Sequence, residues 1–227
     1  GFGEPADVRA VAVRADAGRS HFEVVRAGHA PLPVTLNLPG RHNVLNALGA
    51  IAVAQALDVP EDAIQRALAG FAGIGRRFQQ LGTLGVAGGE VLLMDDYAHH
   101  PREIAAVLEA LRSGWPDRRL VVVFQPHRYS RTRDLFDDFA RVLGSPDVLL
   151  VTEVYAAGEP PLTGADGRSL CRAIRQRGQV DPLFIGDLDE LDEILPGLLQ
   201  ADDIVITLGA GSIGTALPRL LAPKEGQ

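Results

Sequence analysis

Hydrophobic and polar residues alternate with a period of two near the start of the chain, and the period then becomes helical. The alternation predicts three strands, which cover residues 8–15, 20–26 and 32–38. Because no helical pattern separates these strands, we expect an antiparallel meander. After the turn at Pro39 and Gly40, a helix is predicted over 43–57, and Pro60 separates it from a second helix over 61–69.

The second part of the chain has a different hydrophobic pattern, in which short apolar runs alternate with helical segments. Five strand–helix pairs are predicted, at 90–95 and 102–113, 119–124 and 131–143, 147–151 and 168–177, 182–185 and 188–199, and 203–208 and 212–221. The strands are apolar on both faces, which indicates a mainly parallel sheet covered by helices and places the chain in the α/β class. The glycine-rich stretch 70–89 predicts a domain boundary, so we expect domains at 1–79 and 80–227.

Composition excludes several classes of function. The net charge of −7 argues against a nucleic-acid-binding surface, which is usually basic. The sequence has neither a run of ~20 apolar residues nor a signal peptide, so we expect no membrane association. With a single cysteine, Cys171, the chain cannot form an internal disulfide, which fits the cytoplasm, and we expect Cys171 to be a core residue on a helix.

Polar or glycine-rich segments follow four of the five predicted parallel strands, at residues 95–101, 125–131, 153–155 and 208–212. The carboxyl ends of parallel strands meet at one edge of a sheet, where ligands bind in open α/β folds. The sequence therefore predicts a binding site at this edge.

The first of these segments carries two carboxylates and two histidines. Asp95 and Asp96 are candidates for binding ribose hydroxyls or assisting a metal ion. His99 and His100 precede Pro101, which suits the first position of a helix, and the positive helix terminus favours a neutral imidazole. Zinc needs about four well-placed ligands and the other histidines are scattered, so we expect no protein-bound metal.

The second segment is basic. His127, Arg128, Arg131 and Arg133 lie within seven residues, and Arg128 and Arg131 are three apart at a predicted helix start. Two guanidinium groups at one place are typical of a site for a carboxylate or phosphate.

The last segment contains a G-x-G-x-x-G pattern at Gly209, Gly211 and Gly214. The pattern is shared with dinucleotide-binding folds, which leaves a nucleotide-binding oxidoreductase as one interpretation. That fingerprint normally opens the first strand–helix–strand unit, and only 13 residues follow it here. We therefore interpret the glycines as a loop that allows close approach at a helix start.

Before the boundary, Asn43 and Asn46 are three residues apart at the start of a predicted helix, where Asn43 is also a candidate N-cap. Arg76 and Arg77 lie in the glycine-rich connection. No G-x-x-x-x-G-K-[ST] phosphate loop occurs in the sequence. The residues alone thus indicate a two-part protein that binds an anionic ligand.

Six segments together resemble the Mur ligases, and the resemblance covers nearly the whole chain. They are GRHNVLNALGAIAVA at 40–54, GRRFQ at 75–79, DDYAHHPRE at 95–103, QPHRYSRTRDLF at 125–136, VYAAGE at 154–159 and TLGAGSIG at 207–214. The order and spacing are most similar to the branch that adds L-alanine. One departure is Arg102, where a threonine is expected.

The resemblance implies the end of a central ATP-binding domain, followed by a Rossmann-like C-terminal domain that binds the amino acid. It implies ATP- and Mg²⁺-dependent ligation of L-alanine to UDP-N-acetylmuramate through an acyl phosphate, in cytoplasmic peptidoglycan precursor synthesis. The chain begins with Gly1 and lacks the phosphate loop, so we expect an N-terminal portion of the same enzyme upstream and no ligation by this chain alone.

The resemblance also implies residue roles on the nucleotide side. His42, Asn43 and Asn46 are similar to the residues that hold adenine. Arg77 is similar to the catalytic arginine that reaches the phosphates across the interdomain cleft, and Asp96 to the aspartate that contacts the ribose.

On the amino-acid side, Tyr97, His99, Arg128 and Arg131 are similar to the group that receives the amino acid and its carboxylate, with His99 also catalytic. Three alternatives remain open. They are a recycling ligase that adds a whole tripeptide to UDP-N-acetylmuramate, the oxidoreductase fragment, and a non-catalytic ligand-binding module.

Overall fold

The computed structural model describes residues 1–16 and 18–221, which form two compact units. The first unit contains residues 1–73 and 109–117, and the second contains 74–108 and the described residues from 118 onward. The structure divides the chain after Gly73, whereas the domain boundary predicted from the sequence follows residue 79. Residues 222–227 of the expected second domain lie outside the described residues.

The first unit is a three-stranded antiparallel sheet covered by two helices. Its elements are β1 (Val8–Asp16), β2 (Arg19–Arg26), β3 (Leu32–Leu36), α1 (Arg41–Ala56) and α2 (Glu61–Ala69). Alternate residues of β2 and β3, such as Val24 and Val34, are buried and form a core with Leu48 and Ile51 of α1. The predicted meander is confirmed, because the period of two places one face of the sheet against the helices.

The second unit contains the other strands of the described chain. They are β4 (Gln79–Val86), β5 (Gly89–Asp96), β6 (Leu120–Phe124), β7 (Val148–Thr152), β8 (Leu183–Ile185) and β9 (Ile204–Leu208). The helices that follow β5 onward are α3 (Pro101–Gly114), α4 (Tyr129–Asp134), α5 (Phe136–Val142), α6 (Gly167–Gln176), α7 (Leu191–Leu198) and α8 (Ala216–Leu221). Single 3-10 turns at Leu188–Glu190 and Ser212–Thr215 precede α7 and α8.

Within the described residues, the six strands of this sheet have the order β4-β5-β9-β6-β7-β8. The strands from β5 to β8 in this order are parallel, and β4 is an antiparallel edge strand. All residues of β6 and β9 are buried, as the apolar runs predict for strands covered on both faces. The carboxyl ends of β5, β9 and β6 therefore lie side by side.

Two predictions in this unit were wrong. Strand β4 was interpreted as part of a glycine-rich connection, because Gly82 and Gly85 interrupt its apolar pattern. Its pairing with β5 shifts register between Gln80 and Gly82, where Gly82 has a φ of 145° that favours glycine. The single helix predicted over 131–143 is two helices, because the chain leaves helical geometry at Leu135 (φ −118°, ψ 22°).

The prediction for Cys171 is confirmed. It is buried in α6, and burial raises the pKa of its thiol to about 11, so the thiol is protonated at neutral pH. In the part of the chain that the structure describes, no helix combines the length and apolar character needed to cross a membrane.

Candidate functional site

The end of β5 places two neighbouring aspartates in different surroundings. The Asp95 carboxylate is buried, accepts a hydrogen bond from Thr207 Oγ1 at 2.6 Å, and forms an ion pair with Arg76 Nε at 2.8 Å. Asp95 therefore has an internal counter-ion, and the structure gives it a packing role rather than the ligand-binding role considered from the sequence.

Asp96 is also buried, but its oxygens accept backbone hydrogen bonds. Phe78 N–H donates to Oδ2 and Ala98 N–H donates to Oδ1, both at 2.7 Å. Burial raises the pKa of Asp96, although these two amides and the charge of Arg77 act against the rise. The carboxylate thus joins the chain before β4 to the loop after β5, and each oxygen keeps a second lone pair for a further donor.

The segment that leads into β4 presents Arg77. Arg76 and Phe78 on either side adopt left-handed backbone conformations, with φ of 59° and 50°. Such conformations are unfavourable for residues other than glycine. Arg76 and Phe78 are held by internal contacts, whereas the Arg77 side chain is exposed, with its Cζ 5.6 Å from the centre of the Tyr97 ring.

Tyr97 and His99 follow Asp96 and lie against each other, with ring centres 5.3 Å apart. His99 Nδ1 lies 3.0 Å from the carbonyl oxygen of Tyr97 and 3.5 Å from a carboxylate oxygen of Glu103. Both neighbours are acceptors, so Nδ1 carries the hydrogen when the ring is neutral. Nε2 of His99 is then left with a lone pair that can accept a proton.

The end of β6 brings a second histidine to the same edge. The His127 ring lies 5.8 Å from that of His99 and stacks on Tyr155, which follows β7, at 5.4 Å. Arg131 Nη1 lies 3.2 Å from His127 Nδ1. Burial lowers the pKa of His127, and the charge of Arg131 lowers it further. The imidazole is therefore neutral at neutral pH.

Arg128 occupies an unusual backbone position beside this histidine. Its φ of 71° is left-handed, and the backbone is held by hydrogen bonds to Tyr155 O and from Thr132 Oγ1, both 2.9 Å long. Its side chain is half exposed, with Nη1 3.9 Å from Glu159. Glu159 in turn accepts hydrogen bonds from Ser130, which lower the pKa of its carboxyl group. Arg128 and Arg131 thus both lie at this tip, but they contact different partners.

The glycine loop after β9 packs against protein atoms of the same unit. A Cβ atom on Gly211 would lie 2.5 Å from Gln125 Oε1, and one on Gly214 would lie 2.5 Å from Arg76 Cζ. Gln125 Oε1 also accepts a hydrogen bond from Ile213 N–H at 3.0 Å. The glycines therefore allow close approach, as predicted, but what approaches is an arginine and a glutamine of the protein itself, which removes the main reason for the oxidoreductase interpretation.

In the first unit, the three residues predicted to hold adenine lie on the first two turns of α1. Asn43 is not the N-cap, which is Gly40; its Nδ2 donates to Pro39 O at 2.8 Å. Asn46 is exposed and His42 is partly buried. Burial lowers the pKa of His42, opposed by the charge of Glu109, so its ring is neutral at neutral pH.

Among the residues that the structure describes, no group of three or more histidine, cysteine, aspartate or glutamate side chains is placed to hold a metal ion. Sequence reasoning also missed the roles of Arg76, Gln125, Tyr155 and Glu159, which the fold gathers around the predicted residues. The sequence offered a signal only for Gln125, Tyr155 and Glu159, which follow apolar strands.

Residues 76–211, more than half of the chain, match the family described as Mur ligase, glutamate ligase domain. The chain therefore belongs to the Mur ligase family, as the resemblance indicated. It is 58% identical over 217 residues to the UDP-N-acetylmuramate–L-alanine ligase of Methylococcus capsulatus, and the match covers 96% of this chain and 46% of that protein. The chain thus spans about half the length of this relative.

Solved structures agree with this assignment. The UDP-N-acetylmuramate–alanine ligase of Thermotoga maritima matches with a TM-score of 0.81 and 27% identity, over 96% of this chain and 46% of that one. A murein peptide ligase of Psychrobacter arcticus matches with a TM-score of 0.59 and 25% identity, over 96% and 44%.

Proposed function

We propose that the full-length protein carrying this chain ligates L-alanine to UDP-N-acetylmuramate at the expense of ATP, in cytoplasmic peptidoglycan precursor synthesis. The observation that carries this proposal is the 58% identity to an L-alanine ligase, which extends over 96% of the chain. In the proposed reaction, the lactyl carboxylate is phosphorylated, the amine of L-alanine attacks the acyl phosphate, and phosphate leaves as the amide forms.

The edge formed by the β5 and β6 tips supplies groups that suit an amino acid. The half-exposed guanidinium of Arg128 and the nearby Arg131 suit its carboxylate. The Nε2 lone pair of His99 suits the ammonium proton that must leave before the nitrogen can attack. Tyr97, against which His99 packs, orients that imidazole. We therefore assign these four residues to the amino acid, with His99 as the proton acceptor.

Each unit, taken by itself, has residues that suit the nucleotide. In the first unit, the neutral ring of His42 suits stacking on adenine, and the amide groups of Asn43 and Asn46 suit its polar edge. In the second unit, the exposed guanidinium of Arg77 suits the transferring phosphoryl group. Asp96 keeps the lone pairs that a ribose hydroxyl needs.

Mg²⁺ fits this donor set through the nucleotide. Magnesium is usually bound by one or two carboxylates together with substrate phosphates, and not by a cage of protein ligands. When bound, it would supply charge neutralisation for phosphoryl transfer. The described residues provide the guanidinium that shares this task, Arg77.

The test is phosphate release by the full-length protein with ATP, Mg²⁺ and UDP-N-acetylmuramate, in separate reactions with L-alanine and with the Ala-Glu-diaminopimelate tripeptide. The proposal expects release with L-alanine, with the product confirmed by mass spectrometry. Release with the tripeptide alone would assign the protein to the recycling branch, and release with neither would favour a binding module. Omission of UDP-N-acetylmuramate is the control for uncoupled ATP hydrolysis.

A further inference from the structure

Arg76 connects three separate segments at the strand-end edge of the second unit. Its Nε donates to Asp95 at the end of β5, and its Nη2 and Nη1 donate to the carbonyl oxygens of Gly209 and Gly211 after β9, at 2.7 and 3.3 Å. Its own carbonyl oxygen accepts a hydrogen bond from Tyr97 N–H at 2.7 Å. A planar guanidinium with several donors can hold such a junction, whereas a lysine ammonium cannot reproduce its geometry.

The surrounding sequence leaves space for this side chain. A Cβ atom at Gly214 would collide with the guanidinium, and the loop carbonyls face it. Asp95, its counter-ion, is fully buried and is fixed from the other side by Thr207. The place of Arg76 is therefore determined by groups on two strand tips and is not a chance surface contact.

The residue that this junction leaves exposed is Arg77. It lies between two left-handed residues, and each of them is tied to one of the paired aspartates, Arg76 to Asp95 and Phe78 to Asp96. A strained segment persists only where its surroundings hold it. Here the contacts on both sides of Arg77 supply that restraint.

We infer that Arg76 is a positioning residue, which acts through Asp95 and the Gly209–Gly211 carbonyls to fix the place of Arg77. This inference rests on the proposed function, in which the Arg77 guanidinium meets the transferring phosphoryl group. Such a group acts only in the correct geometry, so a displacement of about 1 Å lowers the rate substantially.

The same unit contains a matched control for the ion pair. Arg119 binds Asp203 through Nε and Nη2 at 2.9 and 2.8 Å, at the opposite edge of the sheet where β6 and β9 begin. The side chains of the two arginines are 30% and 28% exposed, and those of the two aspartates 2% and 1%. Arg119→Lys therefore removes a similar pair far along the strands from the Arg77 segment.

The experiment measures kcat/KM for ATP in full-length variants and completes a double-mutant cycle. We expect Arg77→Ala to lower kcat/KM about 100-fold and Arg76→Lys about tenfold. If Arg76 acts through Arg77, Arg76→Lys in the Arg77→Ala background has less than about a twofold further effect. Arg119→Lys should change kcat/KM less than about twofold, with a similar loss of thermal stability.

Asp95→Asn provides a second route if Arg76→Lys does not fold, because it removes the ion pair and keeps the size of the side chain. Circular dichroism and thermal unfolding, compared with the unmodified protein, confirm that each variant is folded. Multiplicative effects of Arg76→Lys and Arg77→Ala, or an equal loss in Arg119→Lys, would overturn the inference.

Two further measurements distinguish a failure of the proposed function from a failure of the inference about Arg76. Unmodified protein that does not ligate L-alanine contradicts the proposed function alone. A crystal structure of the Arg76→Lys variant then tests the inference without activity. A displaced Arg77 guanidinium, no longer within about 6 Å of the Tyr97 ring, supports it, and an unmoved one overturns it.

Discussion

Two arginine–aspartate pairs of nearly equal burial lie at opposite ends of the strands of the six-stranded sheet. They differ in what surrounds them. At the edge where strands begin, Arg119 binds Asp203 and the carbonyl oxygen of Leu198. Asp202, next to Asp203, is left-handed with a φ of 67°, but it is a single such residue at a turn, and the pair fastens the start of β6 to the start of β9.

At the edge where strands end, Arg76 and Asp95 also form an ion pair, but here two left-handed residues flank an exposed arginine and a glycine loop lies close to the pair. The ion pair is therefore not what distinguishes the two edges. The difference shows that a buried ion pair is not by itself evidence of function. It indicates function only when the pair holds a strained segment that carries an exposed reactive group.

The largest effect that tests this comparison is removal of either buried carboxylate. Asp95→Ala and Asp203→Ala should each lower the free energy of unfolding by about 2–3 kcal/mol, because each leaves a partly buried guanidinium without its counter-ion. Urea denaturation of the purified chain measures both. In the full-length protein, Asp95→Ala alone should also lower kcat/KM for ATP; an equal loss in folded Asp203→Ala would contradict the distinction between the edges.

A second prediction concerns the strand-end edge alone. Arg128→Ala in the full-length protein should raise KM for L-alanine about 10- to 100-fold, because a charge-assisted hydrogen bond to the carboxylate is lost. Arg133→Ala is the control, since Arg133 lies on the same short helix, is exposed and pairs with Asp134. Steady-state kinetics with varied L-alanine give the result, and an unchanged KM would remove the carboxylate role from Arg128.

Gly214→Ala should have a smaller effect, about 1–2 kcal/mol on unfolding, because the added methyl group meets a guanidinium that three hydrogen bonds hold in place. It should also reproduce the kinetic defect of Arg76→Lys. Gly85→Ala is the control, because no atom lies within 4 Å of its added Cβ. Normal kinetics in folded Gly214→Ala would show that catalysis does not require the close contact between the glycine loop and the Arg76 guanidinium.

The smallest effect concerns protonation at the strand-end edge. Burial and the charge of Arg131 lower the pKa of His127, so NMR titration should place it below the ordinary histidine value. The neutral form favours folding, so this contribution to stability is present above the ordinary pKa and is lost as the pH falls. Arg131→Met should raise the His127 pKa and Arg133→Met should not; an unchanged value in Arg131→Met would show that Arg131 does not act on the imidazole.

Much of the fold could be predicted, because its strands carry clear periodic patterns. The alternation of apolar and polar residues in β2 predicted the meander. Continuous apolar runs such as Leu120–Phe124, which is buried on both faces, predicted the parallel sheet. Strand β4 could not be read in this way, since its glycines and its position at a sheet edge weaken the apolar signal. The break at Leu135 depends on backbone geometry, which hydrophobic spacing does not report.

The candidate site could be predicted only in part. Strand ends indicated where polar groups would meet, and the tips of β5, β6, β7 and β9 do lie at one edge. Nothing in the pair Arg76 and Arg77 shows which side chain is tied to the protein and which is exposed. The same holds for Asp95 and Asp96, because their different partners come from segments distant in the sequence.

The position of β9 has a consequence for the order in which this protein can be made. Strand β9, the last strand of the described residues, lies between β5 and β6, so the sheet has a gap at its centre until residues near 208 have been synthesised. During translation, β5 and β6 emerge with unpaired edges that face each other, and such edges bind other chains. The second unit therefore cannot complete its sheet strand by strand as the chain emerges, but only once β9 is available to pair with β5 and β6.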